Sequence, residues 1–107
     1  MAEWKYDLGI TGKLLREAIN TDVESIEACT ETLNCLIRCL DWIDKHCTED
    51  VKDYFYILRM DVEETIDNFK FLDEDDDEDY EIAEDDVNDL LDTFYNGCDV
   101  GRIWIGL

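Results

Sequence analysis

At 107 residues, with 46% hydrophobic and 11% aromatic residues, the chain is long enough for one modest core and too apolar for wholesale disorder. Its 30 acids outnumber 9 bases, giving a formal charge of −21. That excludes the nucleic-acid backbone and anionic membranes as first-choice ligands and favours a basic partner or a cation.

The charge is uneven. Residues 71–107 hold 14 of the 30 acids and a single base, Arg102. The opening stretch, MAEWKYDLGI, has neither a basic leader nor an apolar core, and no stretch is apolar enough to cross a membrane. Five cysteines (Cys29, Cys35, Cys39, Cys47 and Cys98) make an odd number. Reduced thiols that pack as small hydrophobes, in a cytoplasmic protein, are the expectation.

The chain has no proline, and its five glycines lie toward the two ends. Nothing between Lys13 and Asn96 strongly breaks a helix, so an all-α chain is expected. The N-terminal alternation of Trp4, Tyr6, Leu8 and Ile10 suits a strand or an extended arm. A short first helix follows over Thr11–Asn20, with Leu14, Leu15, Ala18 and Ile19 as its apolar stripe.

The second helix has the clearest pattern. TDVE at 21–24 reads as a capping box, with Thr21 as N-cap and Glu24 reaching back. Ile26, Cys29, Leu33, Leu36, Leu40, Ile43 and Cys47 then recur in alternating steps of three and four, a heptad seam. The seam suits packing within a bundle, with a homodimer as the alternative. Cys35, Cys39, Trp42 and His46 form a second stripe about 120° away. Three soft ligands along one helix are a poor zinc set, so this stripe is expected to pack on helix one or four. His46 reads as a helix-end residue near the negative C-terminus.

Thr48, Glu49 and Asp50 suit the start of a third helix, whose stripe is Val51, Tyr54, Phe55, Leu58, Val62, Ile66 and Phe69. The short connection predicts an antiparallel hairpin with helix two. A fourth helix is expected to begin near residues 81–85 and to stop at Asn96-Gly97, with Val87, Leu90, Leu91, Phe94 and Tyr95 inward. The apolar tail suggests a short strand beside the N-terminal arm, with Trp104 exposed. The whole predicts a compact three- or four-helix bundle with short extended ends, forming a single domain over residues 1–107. Its core should hold Leu14, Ile26, Leu33, Leu36, Leu40, Ile43, Phe55, Leu58, Val62, Ile66, Leu90 and Phe94.

Between helices three and four lies DEDDDEDYE, residues 73–81. A solvated loop is one reading. A calcium loop is another: Asp73, Asp75, Asp77, Asp79, Glu81 and Glu84 fall at positions 1, 3, 5, 7, 9 and 12 of an EF-hand template. Position 6, however, is Glu78 where the turn needs glycine, and position 8 is Tyr80. A catalytic carboxylate pair would need one acid isolated in an apolar pocket, and no nucleophile or phosphate-loop motif is present, so no enzymatic activity is expected.

Charge mimicry is the fourth reading. Residues 73–99 hold 14 acids. As a helix they would extend on the order of 40 Å, roughly one charge per 3 Å, against about 1.7 Å per charge for duplex DNA. Asp85, Asp86, Asp89 and Asp92 would face away from the core, with Asp61, Glu63, Glu64 and Asp67 added by helix three. Tyr80, Tyr95 and Trp104 could supply desolvated contacts, while Phe69, Phe71 and Phe94 read as core.

In size, acidity, absence of proline and the segment DEDDDEDYEIAEDDVNDLLD, the chain resembles small inhibitors made by phages and mobile elements, the anti-CRISPR and anti-restriction proteins that mimic nucleic acid. The resemblance implies a bacterial host cell and a target that is a basic nucleic-acid-binding enzyme, such as a Cas effector with its positive channel, or a restriction enzyme. It implies no cofactor. The contact surface expected is Asp73, Asp75, Asp76, Asp77, Asp79, Tyr80, Glu81, Glu84, Asp85, Asp86, Asp89 and Asp92. A calcium-binding helix-loop-helix module and a generic acidic adaptor are the competing functions.

Overall fold

The computed structural model describes residues 4–21 and 24–105. Among them are four helices, α1 (Ile10–Ile19), α2 (Ile26–His46), α3 (Glu49–Phe69) and α4 (Asp77–Gly101), and two short strands, β1 (Tyr6–Asp7) and β2 (Ile103–Trp104). The architecture is all-α, as the helical periodicity requires.

Helix α2 is the central element and packs against α1, α3 and α4. Its seam explains why: Ile26, Leu33, Leu36, Leu40, Ile43 and Cys47 are buried and Cys29 is half-buried. The face that could have joined two copies is thus covered within the chain. The second stripe is also used. Cys35 and Cys39 are buried, the Cys39 thiol lies 3.6 Å from the Thr11 carbonyl of α1, and Trp42 meets the ring of Tyr6 edge-on at 6.5 Å. His46 is the last residue of α2, its ring 4.6 Å from that of Trp42.

The start of α2 corrects the capping-box reading. Ser25, not Thr21, is the N-cap, and its hydroxyl accepts from the Ala28 amide at 3.0 Å. Thr21 and Glu24 lie outside any helix, and Asp22 and Val23 lie outside the described residues. Glu74, distant in sequence, supplies the second cap by accepting from the Ile26 and Glu27 amides at 2.8 and 3.2 Å.

Helix α3 returns antiparallel, its core line drawn by Phe55, Leu58, Val62 and Phe69. Tyr54, expected inward, is 60% exposed. Thr48 is the N-cap of α3, but its side chain makes no cap bond; its amide instead donates to the Tyr6 hydroxyl at 3.3 Å.

Helix α4 overturns both expected boundaries. It starts at Asp77 and runs through Asn96-Gly97 to Gly101. Packing overrides the turn signal: a Cβ at Gly97 would lie 2.7 Å from the Phe55 ring, so glycine here admits α3 rather than ending α4. The C-cap is Arg102, which takes the left-handed conformation at φ 56°. Ala83, Val87, Leu91, Phe94 and Cys98 form the buried face, while Leu90 and Tyr95 are half-buried.

The chain ends meet as expected. β1 pairs with β2 in parallel, Tyr6 opposite Ile103. The Lys5 and Leu8 amides donate to the Arg102 and Trp104 carbonyls, both at 2.8 Å. Gly12 lets the tail approach, since a Cβ there would collide with the Ile105 backbone. Trp104 is half-buried against Trp4, ring centroids 5.1 Å apart, not exposed.

The core differs from expectation at a few positions. Leu14 is 41% exposed, because the buried line of α1 runs through Gly12 and Leu15. Ile66 is half-buried. Phe71, expected inside, stands 86% exposed just beyond α3. No helix is long and apolar enough to cross a membrane among the described residues.

Candidate partner-binding surface

The acidic run divides at the start of α4. Its first part, residues 73–76, forms the α3–α4 turn, and much of its charge is directed at backbone amides. Asp73 accepts from the Asp75 amide at 3.0 Å, and Asp79 accepts from the Asp73 amide at 2.8 Å. Asp76 caps α4 by accepting from the Glu78 amide at 2.9 Å. Glu74 reaches α2, as described above. A carboxylate that accepts from an otherwise orphaned helix amide is satisfied twice, by the hydrogen bond and by the positive end of the helix. Asp77, Glu78 and Asp79 in the first turn of α4 gain from the same field.

The second part rides on α4. This helix carries ten acids and no base. At about 1.5 Å per residue its 25 residues span roughly 37 Å, or roughly one carboxylate per 4 Å. Because Ala83, Val87, Leu91, Phe94 and Cys98 fix the inner face, helical geometry turns Glu78, Glu81, Asp85, Asp89, Asp92 and Asp99 outward. All six are exposed. Among the described residues, the side chains of Glu81, Asp85, Asp89 and Asp92 make no hydrogen bond or ion pair.

The remaining expected site residues lie on the flanks. Tyr80 is half-buried and hydrogen-bonded to Glu84, which, with burial and the charge of Glu84, pushes the phenol up to about 12. The two line a cleft with Glu24 and Cys29, of about 250 Å³. Asp86 is half-buried; burial first, then the Asp89 and Asp85 carboxylates, hold its carboxyl above the ordinary value. Asp75 and Asp77 are exposed at the turn. Tyr95 and Trp104 border a different groove, with Trp4 and Arg16.

This geometry does not make a calcium loop. Asp77, Asp79, Glu81 and Glu84 occupy α4, and a helix distributes its side chains around an axis rather than folding them about one ion. Among the described residues no group of three or more His, Cys, Asp or Glu is placed to hold a metal ion. All five cysteines are free. Burial raises the thiols of Cys29, Cys35, Cys39 and Cys47, that of Cys39 to about 12, and raises Cys98 as well, so they remain protonated.

Sequence reasoning missed three features. Glu78 and Asp99 belong to the outer face, and both would have been found had α4 been started at Asp77 and carried past Gly97. Phe71, beside the acidic turn, is the most exposed of the large hydrophobics among the described residues. Nothing in its local pattern separates it from Phe69 except that α3 ends between them. Comparison with family models, curated proteins and solved structures finds no match to this chain.

Proposed function

We propose that the protein is a non-enzymatic inhibitor whose α4 face imitates the charge line of nucleic acid and occupies a basic nucleic-acid-binding site. A defence nuclease such as a Cas effector or a restriction enzyme is the target class. The reading rests on one observation: a single 25-residue helix carries ten acids and no base, six of those acids exposed on the face opposite its buried line of Ala83, Val87, Leu91, Phe94 and Cys98. A rigid array loses little conformational freedom on binding, so charge is converted into association more efficiently than from a floppy tail. Clustering like charge on one helix also costs the isolated protein stability, a cost that an oppositely charged partner would relieve.

Competition in graded salt tests this. Labelled DNA is bound to a guide-loaded Cas effector, or to a restriction enzyme, and the protein is titrated in. The expected result is displacement that weakens steeply as the Debye length falls from about 30 Å at 0.01 M to about 8 Å at 0.15 M salt. Asp85→Asn/Asp89→Asn/Asp92→Asn should lose displacement while remaining folded. Displacement by that variant as strong as by the parent chain would sink the reading.

A further inference from the structure

Helix α3 leaves a second surface without a partner. Tyr54, Tyr56, Ile57 and Met60 are 60, 67, 68 and 54% exposed. They lie within two turns of one helix. Geometry places Ile57 and Met60 at the middle of its outer face, with Tyr54 and Tyr56 to either side. Large side chains exposed singly need no explanation, but four contiguous ones on a small protein mark an interaction surface. Their surroundings restrict the occupant. Asp53 lies one turn before Ile57, Asp61 one turn after Ile57, and Glu64 one turn after Met60, all exposed.

We infer that this strip is a docking site for a protein segment that presents a large apolar side chain flanked by lysine or arginine. The inference rests on the reading of the target as a basic protein, and supplies the desolvated contact that a charged helix lacks. Charge complementarity selects the occupant. A second copy would bring Asp53, Asp61 and Glu64 against their own equivalents, and an anionic membrane would meet a chain of charge −21. A basic amphipathic segment meets neither penalty, and Tyr and Met suit an adaptable apolar contact. Steering by α4 and residence on α3 would then be separable properties of the two faces.

Two synthetic helical peptides of equal positive charge serve as probes: one with leucine at every third and fourth position among lysines, the other with alanine at those leucine positions. Amide chemical-shift mapping and titration calorimetry are run on the intact chain, on Ile57→Ser/Met60→Ser, and on the α4 asparagine variant. The leucine peptide should shift residues 53–64 and bind at least tenfold more weakly to Ile57→Ser/Met60→Ser, whose circular dichroism and melting should match the parent. The alanine peptide should bind both chains alike and spare residues 53–64. Equal binding of the leucine peptide to parent and serine variant overturns the inference. So does a parent chain that sediments as a dimer which the serine changes dissociate, because the occupant is then a second copy. Loss of leucine-peptide binding in the serine variant but not in the asparagine variant keeps this site and counts against α4 alone.

Discussion

In the α3–α4 turn, Glu74 closes the first amides of α2, Asp76 caps α4, and Asp73 and Asp79 tie the turn to itself. A few residues on, Glu81, Asp85, Asp89 and Asp92 point at solvent and hold nothing among the described residues. Residue type and net sign are the same in the two regions. What differs is whether a carboxylate meets an unsatisfied N–H or another carboxylate. An acidic run is therefore not one feature: the turn acids organise the fold, and the face acids burden it.

The comparison can be broken by substitution, and the largest effect is expected at Glu74. Replacing Glu74 with Ala leaves two amides of α2 without their acceptor and should destabilise the chain by about 2 kcal/mol in urea unfolding, at the upper end for helix caps. A change near zero would mean that water serves as well as Glu74. Asp76→Ala should cost about 1 kcal/mol by loss of the α4 N-cap, with fraying of residues 77–80 visible in hydrogen exchange.

The face acids should behave oppositely. Asp85→Asn/Asp89→Asn/Asp92→Asn removes two i,i+4 repulsions (Glu81–Asp85 and Asp85–Asp89) and two i,i+3 repulsions (Asp86–Asp89 and Asp89–Asp92) and should stabilise by about 0.5–1 kcal/mol at low salt. The gain should shrink toward zero near 1 M salt, where the Debye length is about 3 Å. A destabilised triple variant would place these acids with the turn group.

The smallest effect is expected at Asp86. Its folded-state pKa is raised, so its neutral form is favoured by folding and its charged form opposed. The stabilising share is present at low pH and is lost as pH rises through the raised value. Asp86→Asn should therefore raise stability at pH 7 by at most about 0.5 kcal/mol, within the range usual for surface changes. That advantage should vanish below the ordinary carboxylate range. Melting curves at pH 3 and pH 7 check the sign.

Much of this was legible in the sequence because helical spacing reports burial directly. The seam of α2, the hairpin with α3 and the pairing of the two ends followed from where apolar residues recur. The boundaries did not, and for physical reasons. Any of several consecutive aspartates can cap a helix, so DEDDDED does not say which of them does. The choice of Asp76 accompanies the reach of Glu74 to α2, a tertiary contact. Asn96-Gly97 is a stop signal in isolation, but the Phe55 ring lies where a Cβ at Gly97 would stand, and the helix continues. Ser25 prevailed over Thr21 with help from the same Glu74. Leu14 was misplaced because neighbouring helix residues point about 100° apart and Leu15 takes the buried direction, and Phe71 because α3 ends at Phe69 and the helical period stops with it. The outer face of α4 was mostly legible: Glu81, Asp85, Asp89 and Asp92 were expected there, Asp86 is half-buried at its edge, and Glu78 and Asp99 were missed because the helix ends were misplaced.

The β1–β2 clasp bears on the order of folding. Its rungs join Tyr6 to Ile103 and Asp7 to Trp104, nearly the full sequence separation available in the chain, whereas α2 and α3 meet through a two-residue connection. Closing so long a loop is entropically slow compared with forming a helical hairpin. The clasp should form after the helices, and the Trp4–Trp104 pair gives it an optical signature of its own. In stopped-flow refolding, tryptophan fluorescence should lag the far-ultraviolet dichroism, and the lag should lengthen when Gly12→Ala obstructs the tail.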